Sequence, residues 1–426
     1  MGGAAAGSPS AMTALLRAAP QCVPFDVRLE LFRQVLREDK ARGRWDATPA
    51  EGGPRPLRLT IRRERLLEDA FAALAGRGEA LKGRLYVSFV NASGAAEAGL
   101  DHGGLTKELL EATVAAALQP GYGLFEVAEG SGLVYPSPTA EAVPAGLGLL
   151  EFTGLLVGKA LYEGILLDLA LAPPLVLLLQ GGRPGVDDLA AVDASLAAGL
   201  EAVRGYGGDV SDLGLTFSVD TQALGRTASV DLLPGGSSLA VTNANRTLYC
   251  HLLADFHLNR RLGRPAAAFA AGMSRVLPLA ALRLFSPAEF NQLLSGGAGG
   301  GVDVDDLRAH TVYSNGYTEG SRAVRLFWEV VAEFTPEQRS QLLRFVTSCG
   351  RAPLGGFQHL TPPFTVHRVD VGPRNPLAGL VGRDVQLLPS ASTCFCMLKL
   401  PSYATKRGLR DKLLYAITAG AGFELS

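Results

Sequence analysis

The sequence is poor in cysteine. The five it has, Cys22, Cys250, Cys349, Cys394 and Cys396, are odd in number and unevenly spaced. That argues against a disulfide framework and points to a reducing compartment, cytoplasmic or nuclear. The six histidines complete no zinc pattern with them, since Cys250-His251 and His257 lack a second cysteine pair. There is no excess of either charge: 40 Lys plus Arg stand against 41 Asp plus Glu, a formal net charge of −1. A surface that tracks nucleic-acid phosphates carries a basic excess, so nucleic acid is not an expected partner. Long uncharged apolar runs are missing too. The most apolar stretch, Leu149 to Gln180, carries Glu151, Lys159, Glu163 and Asp168 and contains Pro173-Pro174, so no membrane span is expected. The first residues, MGGAAAGSPSAMTALLRAAPQ, have neither a basic start nor a long apolar core and make a poor secretory signal. Gly99-Leu100-Asp101-His102-Gly103-Gly104 matches no phosphate-loop pattern and reads as a tight turn before a helix. Neither a metal nor a cofactor is expected.

What is present is enough for a large folded protein. The chain has 426 residues, 47% hydrophobic and 19% charged, which excludes a wholly disordered chain. At roughly 100–200 residues per domain, its length suggests about two to four units. Residues 1–24 read as a flexible leader. A helix begins at Phe25 with Asp26 as its expected cap and Val27, Leu31 and Val35 at helical spacing. Residues 41–56 read as a loop and Leu57 to Ile61 as a strand. Arg62-Arg63-Glu64-Arg65 opens a helix through Leu74 as a solvated charged face. Leu85, Val87 and Phe89 alternate as in a strand. Helical patterns cover 105–118, 148–169, Asp187 to Arg204 and Asn245 to Arg261, with strands at Leu215 to Asp220 and Leu239 to Val241. The order is not a strict βαβ alternation, so a mostly helical α+β domain is expected over 25–294.

Ser295-Gly296-Gly297-Ala298-Gly299-Gly300-Gly301 then holds five glycines in seven residues and reads as a flexible link. Beyond it, 302–426 has the size of one further domain. Ala323 to Phe334 is expected to be a helix. Thr335-Pro336-Glu337-Gln338 opens the next with a Thr cap, Pro at the first position and Gln three after the cap. Strands are expected near Phe364–Val371 and Cys394–Leu400, and a last helix from Leu409 to Ile417 stopped by Gly420.

The sharpest local feature is Leu388-Pro389-Ser390-Ala391-Ser392-Thr393-Cys394-Phe395-Cys396-Met397. Cys394 leaves a Pro/Ser/Ala loop and enters an apolar strand, a junction where a thiol can be reached while its backbone is held. A free cysteine is more often a small buried hydrophobe, which is how Cys396 reads. His359 and His367 lie upstream, and a Cys/His pair could make a thiol hydrolase, although the local signatures of such hydrolases are absent.

The residues around Cys394 resemble the catalytic lobe of HECT-type ubiquitin ligases. Thr393-Cys394-Phe395 matches that family's catalytic motif, with Leu388-Pro389 before it and Leu398-Lys399-Leu400-Pro401-Ser402-Tyr403 after it. Phe345 to Leu354, Gly355-Gly356-Phe357, His310-Thr311-Val312-Tyr313 with Gly316-Tyr317, Phe327-Trp328-Glu329 and the Gly-Phe-Glu-Leu-Ser ending are also similar. In the larger block, Gly99 to Gly104, Tyr135 to Pro138, Gly158 to Gly164, Leu213 to Ser218, Pro234-Gly235-Gly236 and Val241-Thr242-Asn243 with Asn245 find counterparts in order.

The resemblance implies a bilobal α+β fold, with a larger mostly helical N-lobe at 25–294, a hinge at 295–301 and a smaller α/β C-lobe at 302–426. It implies covalent ubiquitin transfer through a thioester on Cys394, with Thr393, Phe395 and Phe423 in support. The expected partners are a ubiquitin-conjugating enzyme, ubiquitin and a protein substrate, with polyubiquitination and proteasomal degradation as the outcome. The conjugating-enzyme groove maps onto Leu196, Leu200, Tyr206, Leu213, Tyr249 and Leu253. Each of these also fits ordinary core packing. Two positions depart from the family: Ser392 stands where His is frequent, and Cys396 where Asn is frequent, which puts in doubt any role for an amide there. A binding module without turnover is the competing reading.

Overall fold

The computed structural model describes residues 11–91, 104–223, 226–297, 302–369 and 387–418. Two regions of the expected leader carry structure: a helix at Ala11–Ala18 and a short 3-10 turn at Pro20–Cys22, followed by buried Val23. The stretch expected as a flexible leader thus holds secondary structure in its second half. Arg28 anchors the end of this segment: it is 4% exposed and donates from Nε to the Val23 carbonyl (2.8 Å) and from both terminal nitrogens to Glu289 (2.8 and 2.6 Å). This clamp ties the chain before the Phe25–Gly43 helix to the Pro287–Ser295 helix. Pro24, not Asp26, holds the cap position, and Asp26 lies in the first turn, where a carboxylate still favours the helix dipole.

The body is organised around the helix Gly146–Glu163, buried along nearly its whole length. A helix apolar on all sides belongs inside a protein. It stops earlier than its apolar pattern, at Gly164, whose φ of 71° forms a left-handed cap with its N–H on the Ala160 and Leu161 carbonyls. It crosses the helix Arg261–Ser274 so closely that a Cβ on Gly154 would strike the Phe269 carbonyl and one on Gly272 the Glu151 carbonyl. The strands Leu57–Arg62 and Leu85–Val90 pair in parallel, Leu57 opposite Leu85. Their alternating Leu59, Ile61, Val87 and Phe89 face the core. The helix Leu66–Leu74 connects them, and the helix Gly104–Ala117 follows.

Residues 186–258 form a small subdomain with its own core, which includes Leu189, Leu200, Val210, Phe217, Leu232, Val241, Tyr249 and Leu253. The single helix expected from Asp187 to Arg204 is two pieces, a 3-10 segment Val186–Ala191 and a helix Ala194–Arg204. Asp193 divides them by capping the second, accepting from the Leu196 N–H at 2.8 Å. The expected strand at Leu215 is shifted into the hairpin Ser218–Ala223 with Arg226–Asp231. Leu215 and Phe217 instead bond to 239–241, through Phe217 N–H to the Leu239 carbonyl and Val241 N–H to the Leu215 carbonyl.

The C-terminal unit has a separate core that includes Val324, Phe327, Val331, Leu343, Val346, Phe364, Val366, Leu398, Leu400, Leu409 and Leu413. Its four-stranded sheet runs in the order Val312–Ser314, Thr365–Val369, Met397–Pro401, Ser390–Ser392. The first two neighbour pairs are parallel and the last is antiparallel. Helices Arg322–Glu333, Pro336–Thr347 and Lys406–Thr418 accompany the sheet. The capping box read at Thr335 forms as expected, with Thr335 N–H to Gln338 Oε1 (3.1 Å) and Gln338 N–H to Thr335 Oγ1 (3.3 Å). Where the glycine run starts, Gly297 N–H donates to the Ala352 carbonyl (3.0 Å) and Arg351 donates to Ser295 Oγ (2.8 Å). Residues 298–301 of the expected hinge lie outside the described residues, as do Gly99 to Gly103, Val371, Gly420 and Phe423.

Candidate active site

The strands Ser390–Ser392 and Met397–Pro401 pair antiparallel, Ser392 opposite Met397, so the four residues between them make a hairpin connection. Those residues are Thr393, Cys394, Phe395 and Cys396. Thr393–Phe395 is a single 3-10 turn. Cys394 is its middle residue, at the tip of the hairpin. The strand expected from Cys394 begins only at Met397. Cys396 ends the turn with φ 47°, ψ 42°, so strand alternation does not relate the two cysteines. The hairpin is held at its tip and at its ends. Thr365 N–H donates to the Cys396 carbonyl at 2.9 Å. Tyr403 Oη donates to the Leu387 carbonyl at 2.6 Å, joining the two ends of the hairpin. Tyr317 Oη donates to the Leu400 carbonyl at 3.1 Å. A nucleophile carried on such a turn has a fixed backbone, which suits repeated covalent chemistry.

The body reaches this turn through the helix Gly104–Ala117. Lys107, 6% exposed, donates from Nζ to the Thr347 carbonyl (2.9 Å) and to Cys396 Sγ (3.4 Å). Glu111, one turn along the same helix, lies 3.7 Å from that ammonium. Burial pulls the Lys107 pKa down, but Cys396 and Glu111 outweigh it and the net direction is up, so the ammonium stays protonated. Burial pushes the Glu111 carboxyl up to about 7, against the pull of Lys107. Burial also raises the Cys349 and Cys250 thiols, which keeps both in the unreactive protonated form. Cys349 Sγ lies 3.3 Å from the Ser295 carbonyl. His367 shares a 2.9 Å hydrogen bond with Ser314 Oγ and pairs in register with Lys399. His359 sits in a short turn on the groove beside the Phe25–Gly43 helix. Among the described residues, His367 is bonded to Ser314 and His359 lies in its own turn, outside the Thr393–Cys396 connection.

Sequence reading missed Lys107 and Glu111. The signal was there: two charges at i and i+4, in line with Leu110 and Val114 on the face that carries the helix's apolar residues.

The six groove residues separate by exposure. Leu200, Tyr249 and Leu253 are 3, 7 and 5% exposed and belong to the subdomain core. From there they can back a groove but present little of it. Leu196 is half-buried, and Tyr206 and Leu213 are exposed. Leu239 and Leu248, which the sequence reading did not single out, are exposed as well. The two segments that carry these side chains are tied together. Arg246 donates to the Tyr206 carbonyl (2.8 Å), Val210 N–H donates to Asn243 Oδ1 (3.1 Å) and Asn243 Nδ2 donates to the Gly208 carbonyl (3.3 Å). The result is an apolar surface on a fixed backbone, with a packed core behind it.

Comparison with known proteins adds the family. The family profile described as "HECT-domain (ubiquitin-transferase)" matches residues 111–426. The human protein named "Ubiquitin-protein ligase E3B" is 37% identical over 432 aligned residues, covering 97% of this chain and 40% of the relative. "Probable E3 ubiquitin protein ligase C167.07c" of Schizosaccharomyces pombe is 40% identical, over 95% of this chain and 38% of the relative. "E3 ubiquitin-protein ligase HUL5" of Saccharomyces cerevisiae is 37% identical, over 96% and 44%. The chain thus spans about two fifths of the length of these relatives.

Proposed function

The chain belongs to the HECT family of ubiquitin transferases, and we propose that it transfers ubiquitin through a thioester on Cys394. The carrying observation is the Thr393-Cys394-Phe395 turn at the tip of a braced hairpin, inside the region the family profile covers. The Cys394 thiolate attacks the carbonyl carbon of the thioester that joins ubiquitin to a conjugating enzyme. The new carbon–sulfur bond forms, the old one breaks, and the conjugating enzyme leaves as a thiolate. One thioester replaces another, so this step needs little driving force. A neutral substrate lysine amine then attacks the Cys394 thioester. An isopeptide bond forms, the amine loses a proton, and Cys394 returns as thiolate. An ordinary lysine has a pKa near 10.4, so the second step needs a proton acceptor close to the incoming amine.

The conjugating enzyme docks on the apolar surface of the 186–258 subdomain that includes Leu196, Tyr206 and Leu213, with Leu200, Tyr249 and Leu253 behind it. The body and the C-terminal unit act as two lobes, and the 295–301 run is their hinge. One sulfur must meet two partners in turn, and lobe rotation permits it. The separate cores on either side of the glycine run support that reading. Phe423 orders the lysine-transfer step, and a reducing cytoplasmic or nuclear setting keeps the Cys394 thiol free.

The test is discharge of ubiquitin-charged conjugating enzyme onto the chain. Wild type should give a ubiquitin adduct that reducing agent removes, and Cys394→Ala should give none. A reducible adduct on Cys394→Ala refutes the assignment. Binding without any adduct on wild type leaves a docking module instead.

A further inference from the structure

We infer that Lys107 is a positioning residue for this transfer: it clamps the Cys394 hairpin against the body by joining Thr347 and Cys396, and its release frees the hairpin to meet the conjugating enzyme. The inference rests on the thioester reading above. Its physical basis is the cost of burying an ammonium. A charge removed from water is expensive unless every direction it points in is filled. A methionine would fill the same space without that cost, so the ammonium is explained by its bonds.

Those bonds run from the body to two different parts of the C-terminal unit. Thr347 is the last residue of the Pro336–Thr347 helix. Its carbonyl is one of the helix-end acceptors left without an intrahelical donor, and it sits at the negative end of the helix dipole. Lys107 fills that acceptor at 2.9 Å. The second bond, 3.4 Å to Cys396 Sγ, falls on the closing residue of the turn that carries Cys394. One cation thus fixes the orientation of the nucleophile's turn relative to the body. Other contacts cross the same boundary. Arg344–Asp168 is well exposed on both sides, where ion pairs contribute little. Arg33 reaches the Leu354 carbonyl at 3.1 Å from a partly buried position. Arg351 donates to Ser295 Oγ at 2.8 Å through a partly buried bond. Lys107 makes a charge-assisted contact that is shielded from water.

In this arrangement the turn packs on the Gly104–Ala117 helix, whereas the proposed docking surface belongs to the 186–258 subdomain. The clamped state is therefore the one that follows loading. Weakening the clamp should harm delivery to lysine more than acceptance from the conjugating enzyme.

Thiol accessibility tests this directly. Cys396 is fully buried here, under Lys107, and Cys250 is buried in the subdomain core, away from the clamp. The full chain carrying Cys394→Ser is treated with N-ethylmaleimide, and Cys396 and Cys250 labelling are followed by peptide mass spectrometry. Cys396 should label faster than Cys250, because exposing it needs only separation of the clamp. Lys107→Met should speed Cys396 by at least about tenfold, the population change from losing one charge-assisted hydrogen bond, with Cys250 unchanged. Lys107→Arg, which keeps a cation of similar reach, should restore most of the protection. The inference is overturned if Cys396 labels no faster than Cys250, if Lys107→Met leaves Cys396 at its original rate, or if Lys107→Arg restores nothing. Should Lys107→Met expose both thiols by unfolding, the rate order in the Lys107 chain and the Lys107→Arg result still decide the matter. With Cys394 intact, Lys107→Met should slow discharge to free lysine more than loading, by about tenfold. Equal slowing of both steps overturns the positioning role. A chain that forms no ubiquitin adduct at all refutes the proposed reaction and leaves the thiol-labelling result standing.

Discussion

The Cys396 amide donates to the Thr393 carbonyl across 3.1 Å, and closing that turn puts Cys396 at φ 47° in the left-handed region. Residues other than glycine pay about 1–2 kcal/mol there, and asparagine pays less than most because its short polar side chain bonds locally. The frequency of asparagine at this position in the HECT family then has a conformational explanation that requires no catalytic amide. Cys396→Asn should fold with stability within about 1 kcal/mol of wild type, its side-chain oxygen replacing sulfur as the acceptor for Lys107. Cys396→Val, β-branched at positive φ, should lose roughly 2 kcal/mol or more. Urea unfolding of the three chains checks the order, and a Val variant as stable as the Asn variant would rule out backbone strain at this turn.

The exposed and buried members of the proposed docking surface should respond to truncation in opposite ways. Leu213→Ala and Leu248→Ala remove exposed side chains, so stability should change by less than about 0.5 kcal/mol. Affinity for the conjugating enzyme should fall by roughly tenfold if either is an anchor. Leu200→Ala and Leu253→Ala open the subdomain core and should cost about 2–5 kcal/mol. Calorimetric titration paired with thermal melts separates the two classes. Unchanged binding by both surface variants would move the docking site elsewhere.

Much of this was readable from local pattern, and the limits of that reading follow from the same physics. Thr335 and Gln338 are three residues apart, so their capping box is written within one turn of chain and forms as expected. Thr393-Cys394-Phe395 is likewise a local signature, and its place beside a strand was legible even though the strand begins later. The division of the larger block into a body and a subdomain was not. Helical periodicity tells that Leu200 and Leu253 face something apolar, but not whether that is a core or an open groove. The Asp187 to Arg204 helix breaks because Asp193 makes a better cap than an interior residue, a competition that apolar spacing ignores. Lys107 joins residues 240 and 289 positions away, and no window of sequence spans that distance.

Glu111 gives the clamp a pH signature. Burial raises its carboxyl from the ordinary 4.5 to about 7 in the folded chain. Facing it are Lys107, whose charge opposes the rise, and Glu108 on the same helix, which adds to it. Between pH 4.5 and 7 the unfolded chain has lost this proton and the folded chain still holds it. The folded state then binds more protons, so stability falls as pH rises through that window and levels off above it. The amplitude is a few kcal/mol at most, given the coupling to Lys107. Glu111→Gln cannot ionise and should flatten the decline. Chemical denaturation at pH 5 and pH 8 measures the difference. An equal decline in both chains would assign it to other groups.

The Arg28–Glu289 pair predicts an asymmetry between its two halves. Arg28 is buried, while the Glu289 side chain is 22% exposed and also accepts from the Ser286 N–H at 2.8 Å. Removing the arginine leaves a carboxylate that keeps its cap and can hydrate. Removing the carboxylate leaves a guanidinium enclosed among the Val23 and Leu284 carbonyls and the Phe25 and Phe285 rings. Those groups stabilise a cation but do not neutralise it. Breaking a buried pair from one side costs about 3–5 kcal/mol. Glu289→Ala should therefore reach that range, and Arg28→Met should fall below it, because methionine keeps the apolar stem packed and strands no charge. Arg28 also holds the Glu289 carboxyl below its ordinary value, so the stability it contributes is present above pH 4.5 and is lost as pH falls through its lowered folded pKa. Glu289→Ala should lack that acid-side loss, and Arg28→Met should lose the larger part of it, keeping what the Ser286 cap supplies. Guanidinium unfolding at neutral pH gives the order of the two costs, and an Arg28→Met variant weaker than Glu289→Ala would mean that the packing of the guanidinium, not its pairing, holds the N-terminal segment to the body.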